Sequence, residues 1–177
     1  MLFTDRSLWT MAHGVVLGGA ALMALAAAMF ALGVMRAPDR SDGAIDNQSR
    51  SLTALMVFIG VVLWLAVFVG TYLIFPPYRA TPSGGVVDLS QYPRSLLLAN
   101  PDTAWLHAFA MESKEHMHWI ASMLATAVAF VSVRYRSMLL RDAGLRTTAM
   151  TLLAVSFVLV SFVGLMGVFI DKVAPLH

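Results

Sequence analysis

The chain has 177 residues, 59% of them hydrophobic and 12% charged, with a formal net charge of +2. That leaves too little polar surface for a soluble globule, and the apolar residues fall in blocks long enough to span lipid, so the sequence reads as an all-α integral membrane protein. The absence of cysteine excludes disulfides, thiolate-held metals, iron–sulfur clusters and covalently attached c-type haem, and arginines placed in membrane loops give no basic face for nucleic acid.

Four transmembrane helices are expected, over about 9–35, 52–75, 101–136 and 147–172, each long enough for a hydrocarbon core of roughly 30 Å. No strand-like alternation competes with them. Short connections make consecutive helices antiparallel neighbours, which predicts a single transmembrane domain over 1–177 folded as an up-down-up-down four-helix bundle.

The first block, from Trp9 to Met35, is longer than a secretion-signal core and is expected to stay as a membrane span. Arg36, Arg40 and Arg50 follow it, and Arg134, Arg136, Arg141 and Arg146 follow the third block. By the positive-inside rule these two loops are cytoplasmic, which places both termini and the middle loop on the outer side of a bacterial inner (plasma) membrane. At about 100° per residue, His13 shares a face with Ala20, Ala24, Ala27 and Ala31, while Met23, Met29 and Phe30 point away. An inward histidine above an alanine stripe follows.

The second block carries Tyr72 near its outer end. The outer loop, about 76–100, is interrupted by Pro76-Pro77, Pro82-Ser83-Gly84-Gly85 and Tyr92-Pro93. It is long for a membrane connection, and Leu96-Leu97-Leu98 gives it an apolar patch, so a cover over the bundle or a docking surface is expected.

Asn100-Pro101-Asp102 is a helix start: Asn caps free amides, Pro suits the first turn, and Asp complements the positive end of the helix. A helix from there to Arg136 would be roughly 54 Å long, more than the hydrocarbon requires, so the third helix is expected to project on the outer side. Three of the five histidines and both glutamates fall between Trp105 and Trp119. Ionisable groups at the mouth of a span persist where they face protein, water or a cofactor. Helical counting puts His107, Met111, Lys114 and His118 on one face, with Glu115 at its edge. Ser122, Ala125, Ala129 and Ser132 continue that face, opposite Ile120, Met123, Leu124, Phe130 and Val131. Small residues mark helix contacts in membranes, so His118 is expected to point into the bundle.

Two inward imidazoles on different helices suit the axial positions of a non-covalent haem b. The expected iron ligands are His13 and His118, with His107 as the substitute for His118. Trp9, Trp105, Phe109, Trp119 and Tyr72 are expected to line the slot. Lys114 reads first as a solvent-exposed charge on the projecting helix; otherwise it is placed to pair with Asp171 across helices or to meet a haem propionate or a quinone headgroup. His116 is rotated away from this face, and His177 reads as a tail residue.

Glu112, Glu115 and His118 stand at three-residue intervals like carboxylate di-iron ligands, but the other helices supply no further glutamate. A single zinc or copper on His107, His118 and a carboxylate is the lesser metal alternative. The expected function is a membrane-bound b-type haem electron-transfer protein, a subunit rather than a self-contained enzyme, with a quinone as a second ligand class. It would pass electrons between a quinol or membrane partner and an external, periplasmic redox protein. The alternative is a non-catalytic accessory subunit of a larger membrane complex. Proton passage through Glu115, His118 and Lys114 lacks matching ionisable residues in the cytoplasmic half.

Overall fold

The computed structural model describes residues 4–34, 42–84 and 88–175, which contain helices and no strand. Arg36, Arg40, the Met35 boundary, Gly85 and His177 lie outside the described residues. Four helices are long and apolar enough to cross a membrane: α1 (Asp5–Val34), α2 (Gly43–Arg79), α3 (Pro101–Arg141) and α4 (Ala143–Val173). Their bounds exceed the apolar blocks for local reasons. Asp46 and Arg50 pair one turn apart at 2.8 Å, and Ile45, Ser49 and Leu52 are buried, so α2 begins well before its hydrophobic stretch. Asp142 accepts from the Leu145 N–H at 2.8 Å and starts α4 early. Within α3 the backbone breaks at Arg136 (φ 23°, ψ −101°), the expected end of that helix.

In the packing, α3 lies against α2 and α4, and α1 against the same two helices. Leu25, Leu32, Met56, Ile59, Leu63, Val128 and Leu153 fill the centre. Lipid is as apolar as these side chains, so close packing and small polar groups must hold the helices together. The Trp64 indole donates to the Thr126 hydroxyl at 2.9 Å. The Thr53 hydroxyl donates to the Ser132 carbonyl at 3.1 Å, and Ser156 donates to the Ala121 carbonyl at 3.3 Å. Val15, Met23, Phe30, Phe68, Phe130 and Val158 face outward and fit contact with acyl chains.

Three of the four spans contain π-helical turns, at Ala12–Gly18 in α1, Gly70–Ile74 in α2 and Leu106–Met111 in α3. All three lie at the same end of the molecule, where Asp5–Met11 packs on the α2 turn and α4 packs on the other two. An i→i+5 turn holds one residue more than an α turn and advances the helix face accordingly. The interior stripe of α1 is therefore Ala21, Ala24, Leu25, Ala28 and Leu32, not Ala20, Ala24, Ala27 and Ala31. Ala27 is exposed. Beyond its own π turn α3 is regular, and there Ser122, Ala125 and Ser132 are buried, Ala129 is half-buried, and Ile120, Met123 and Phe130 face outward. Leu124 and Val131, expected on the outward side, are half-buried.

A cover closes the bulged end. Pro76 and Pro77 do not end α2; they sit in the first turn of its final segment Phe75–Arg79, where amide donors have no partner within the segment. In the loop, Asp88 accepts from the Ser90 amide and hydroxyl at 2.9 and 2.8 Å, and these bonds hold its carboxyl below the ordinary range. The short helix Pro93–Ala99 then plants Leu97 among Tyr78, Leu106, Ala110, Met166 and Ile170. Leu98 faces outward.

Candidate functional site: a histidine pair in the bulged end

The π turn of α1 carries His13, and the regular part of α3 carries His118. Their rings meet across the bundle with centroids 6.1 Å apart and planes inclined by 34°. The backbone of Ala66 in α2 lies beside the His13 ring. His13 Nδ1 and His118 Nε2 are buried and have no hydrogen-bond partner among the described residues. An unpartnered buried ring nitrogen is expensive, and two of them in one pair call for an acceptor of their lone pairs or protons.

Two glycines make room for side chains of this layer, one for His13 and one for Lys114. A Cβ on Gly70 of α2 would stand 3.1 Å from His13 Cε1, and one on Gly167 of α4 would stand 3.0 Å from Lys114 Nζ. All four spans thus contribute to one layer: His13 from α1, Ala66 and Gly70 from α2, Lys114 and His118 from α3, Gly167 from α4. Lys114 acts electrostatically on both imidazoles and on Asp171. The expected Lys114–Asp171 contact is not a salt bridge, since no carboxylate among the described residues lies within 4.0 Å of the lysine.

These residues fit a metal-centred group. Each ring offers a buried nitrogen with no partner among the described residues, and imidazole nitrogens are donors that could hold a haem iron between two helices.

His107 lies elsewhere. It sits within the π turn Leu106–Met111, which takes it off the face of His118 toward α2 and the cover. Arg94 Nε donates to His107 Nε2 at 3.2 Å, and His107 Nδ1 bonds Tyr78 Oη at 3.0 Å. A guanidinium can only donate, so Nε2 is the acceptor and Nδ1–H donates to the tyrosine. Both nitrogens of His107 are therefore engaged in holding the cover to α2 and α3. Beside this cluster Arg79 pairs with Glu112 at 3.8 Å, and Glu115 Oε1 is buried without a partner among the described residues.

Tyr72 and Trp119 line an apolar groove of about 670 Å³ between α2 and α3, with Val61, Trp64, Phe68 and Thr126, and neither His13 nor His118 lines it. Trp119 meets Trp64 edge-on at 5.3 Å, and Tyr72 packs on Phe68 at 4.8 Å. Trp9, Trp105 and Phe109 are exposed. His116 is exposed and bonds the Glu112 carbonyl at 2.8 Å. The zinc, copper and di-iron sets do not assemble: no three His, Asp or Glu side chains among the described residues could share a metal ion.

Counting faces did not find Gly70, Gly167, Tyr78 or Arg94. Glycine is common in membrane helices for packing alone, and the two polar residues reach His107 through tertiary contacts. Comparison with known protein families, with characterised proteins and with solved structures gave no match.

Proposed function

We propose that this protein is a b-type haem electron-transfer protein of the bacterial inner membrane, in which His13 and His118 hold the haem iron. The observation that carries this is the pair of facing imidazoles, 6.1 Å between centroids, whose buried nitrogens lack partners among the described residues. When bound, haem supplies one-electron transfer at its iron. The chain supplies the rest: Gly70 keeps α2 clear of the His13 ring, and Gly167 makes room on α4 for Lys114. The cover seated by Leu97 limits water at that end.

In this reading the helices form an up-down-up-down bundle with both termini outside. Support comes from Arg50, Arg134, Arg136, Arg141 and Arg146, which gather at the end remote from the histidines. With 41 residues, α3 is roughly 60 Å long and projects on the outer side. Electrons pass between a quinol or membrane partner and an external redox protein. The groove between α2 and α3 supports a second reading, an accessory subunit of a larger complex, because a neighbouring helix could fill it.

The test is the reduced-minus-oxidised spectrum of the full-length protein purified after growth with ample haem, with haem quantified as its pyridine complex. A bis-imidazole spectrum lost in both His13→Ala and His118→Ala is expected. A colourless protein overturns the proposal, and an unchanged spectrum in both variants overturns the ligand assignment.

A further inference from the structure

Lys114 stands one turn from His118 on α3, inside a span where a cation is costly unless an anion or water answers it. Its Nζ is turned toward α4, into the space that a Cβ on Gly167 would take from it, 3.0 Å away. Asp171 acts on it electrostatically but lies beyond ion-pair distance, with no other carboxylate within 4.0 Å among the described residues. The neighbouring cations are differently placed: Arg79 faces Glu112 at 3.8 Å and Arg94 donates to His107. The ammonium lies close enough to the histidine pair to act electrostatically on both rings.

We infer that Lys114, set in the Gly167 recess, receives the carboxylate of a haem propionate and so fixes which way round the macrocycle enters the bundle. This rests on the haem assignment proposed above. Carboxylate is the chemistry that a half-buried ammonium recognises as a charge-assisted partner. Asp171 keeps the lysine from standing as an isolated charge before the haem arrives.

The full-length protein, Lys114→Gln, Lys114→Arg and Gly167→Val are each loaded with haem b or with its dimethyl ester, whose propionates carry no charge. The readout is the rate of haem loss to a scavenging acceptor, with the bis-imidazole spectrum as the check on folding. The unaltered protein should hold haem b at least about tenfold longer than the diester, the worth of one charged hydrogen bond. Lys114→Gln should bring that ratio to about one, and Lys114→Arg should restore most of it. Gly167→Val should lower the ratio with the lysine still present. A ratio undiminished in Lys114→Gln overturns this inference and leaves the iron ligands untouched. Failure of the unaltered protein to bind haem b overturns both.

Discussion

From Gly19 to Val34 the first span is regular α-helix over a buried stripe of Ala21, Ala24, Leu25, Ala28 and Leu32. A few residues earlier the same helix is a π turn carrying a half-buried histidine. The contrast extends across the molecule. Away from the histidines the spans meet through alanine, leucine and hydroxyls that bond backbone carbonyls, and no buried side-chain polar atom there lacks a partner among the described residues. At the histidine end there are three wide turns, two glycine recesses, a lysine without a close carboxylate and three unpartnered buried polar atoms. Helices packed only for stability would have no use for these departures, each of which costs on the order of 1 kcal/mol or more. One end is packed to hold helices together; the other, in the function proposed, holds a cofactor between them.

The sharpest way to break this comparison is to remove the wide turn of α1. Val15 lies within it and is 71% exposed, so deleting Val15 removes little packing. The deletion restores α spacing and turns His13 by about 100° relative to the stripe below. We expect haem to be lost entirely while thermal unfolding moves little or upward, measured as haem per protein and by calorimetry. Full haem retention with an unaltered spectrum would remove His13 as a ligand.

That experiment bears on what could be read from the sequence. The four spans were legible because hydropathy acts over whole blocks, and their excess length comes from local devices such as the Asp46–Arg50 pair and the Asp142 cap. The face of His118 was legible because α3 is regular from Glu112 to the break at Arg136. The faces of His107 and of the α1 stripe were not, since each count crosses a π turn and a constant 100° step accumulates one residue of error. The glycine recesses were illegible for another reason: nothing near Gly70 or Gly167 in sequence separates a recess for a ring from ordinary helix packing.

Glycines at the two ends sharpen the same contrast. Gly70→Leu puts its Cβ 3.1 Å from His13 Cε1, whereas a Cβ at Gly60 meets nothing within 4 Å. Overpacking costs up to about 3 kcal/mol, so Gly70→Leu should weaken haem retention on the order of a hundredfold. Gly60→Ala should leave it unchanged. Equal effects at both positions would erase the distinction between the two ends.

In the opposite direction, Leu63→Ala strikes the regular half, where Leu63 is fully buried. Lipid is as apolar as the core, so the loss is mainly the cavity share of a leucine truncation, about 2 kcal/mol. Reversible unfolding in mixed micelles should report it, with the haem spectrum unaltered. A changed spectrum would mean that packing in this half is transmitted to the histidine pair.

The smallest effect is expected at Ser156, whose one hydroxyl proton is shared between the Ala121 carbonyl at 3.3 Å and the Leu152 carbonyl of its own helix at 2.9 Å. Ser156→Ala removes one interhelical hydrogen bond but leaves no carbonyl stranded, because both carbonyls belong to helix interiors and keep their backbone partners. The loss should be about 0.6 kcal/mol, the usual worth of such a bond between membrane helices. The same unfolding assay measures it. A loss above about 2 kcal/mol would mean that a single hydroxyl carries the contact between α3 and α4. The regular half would then depend on particular polar groups as the histidine end does, and the small-residue packing that sets the two ends apart would not be what holds it.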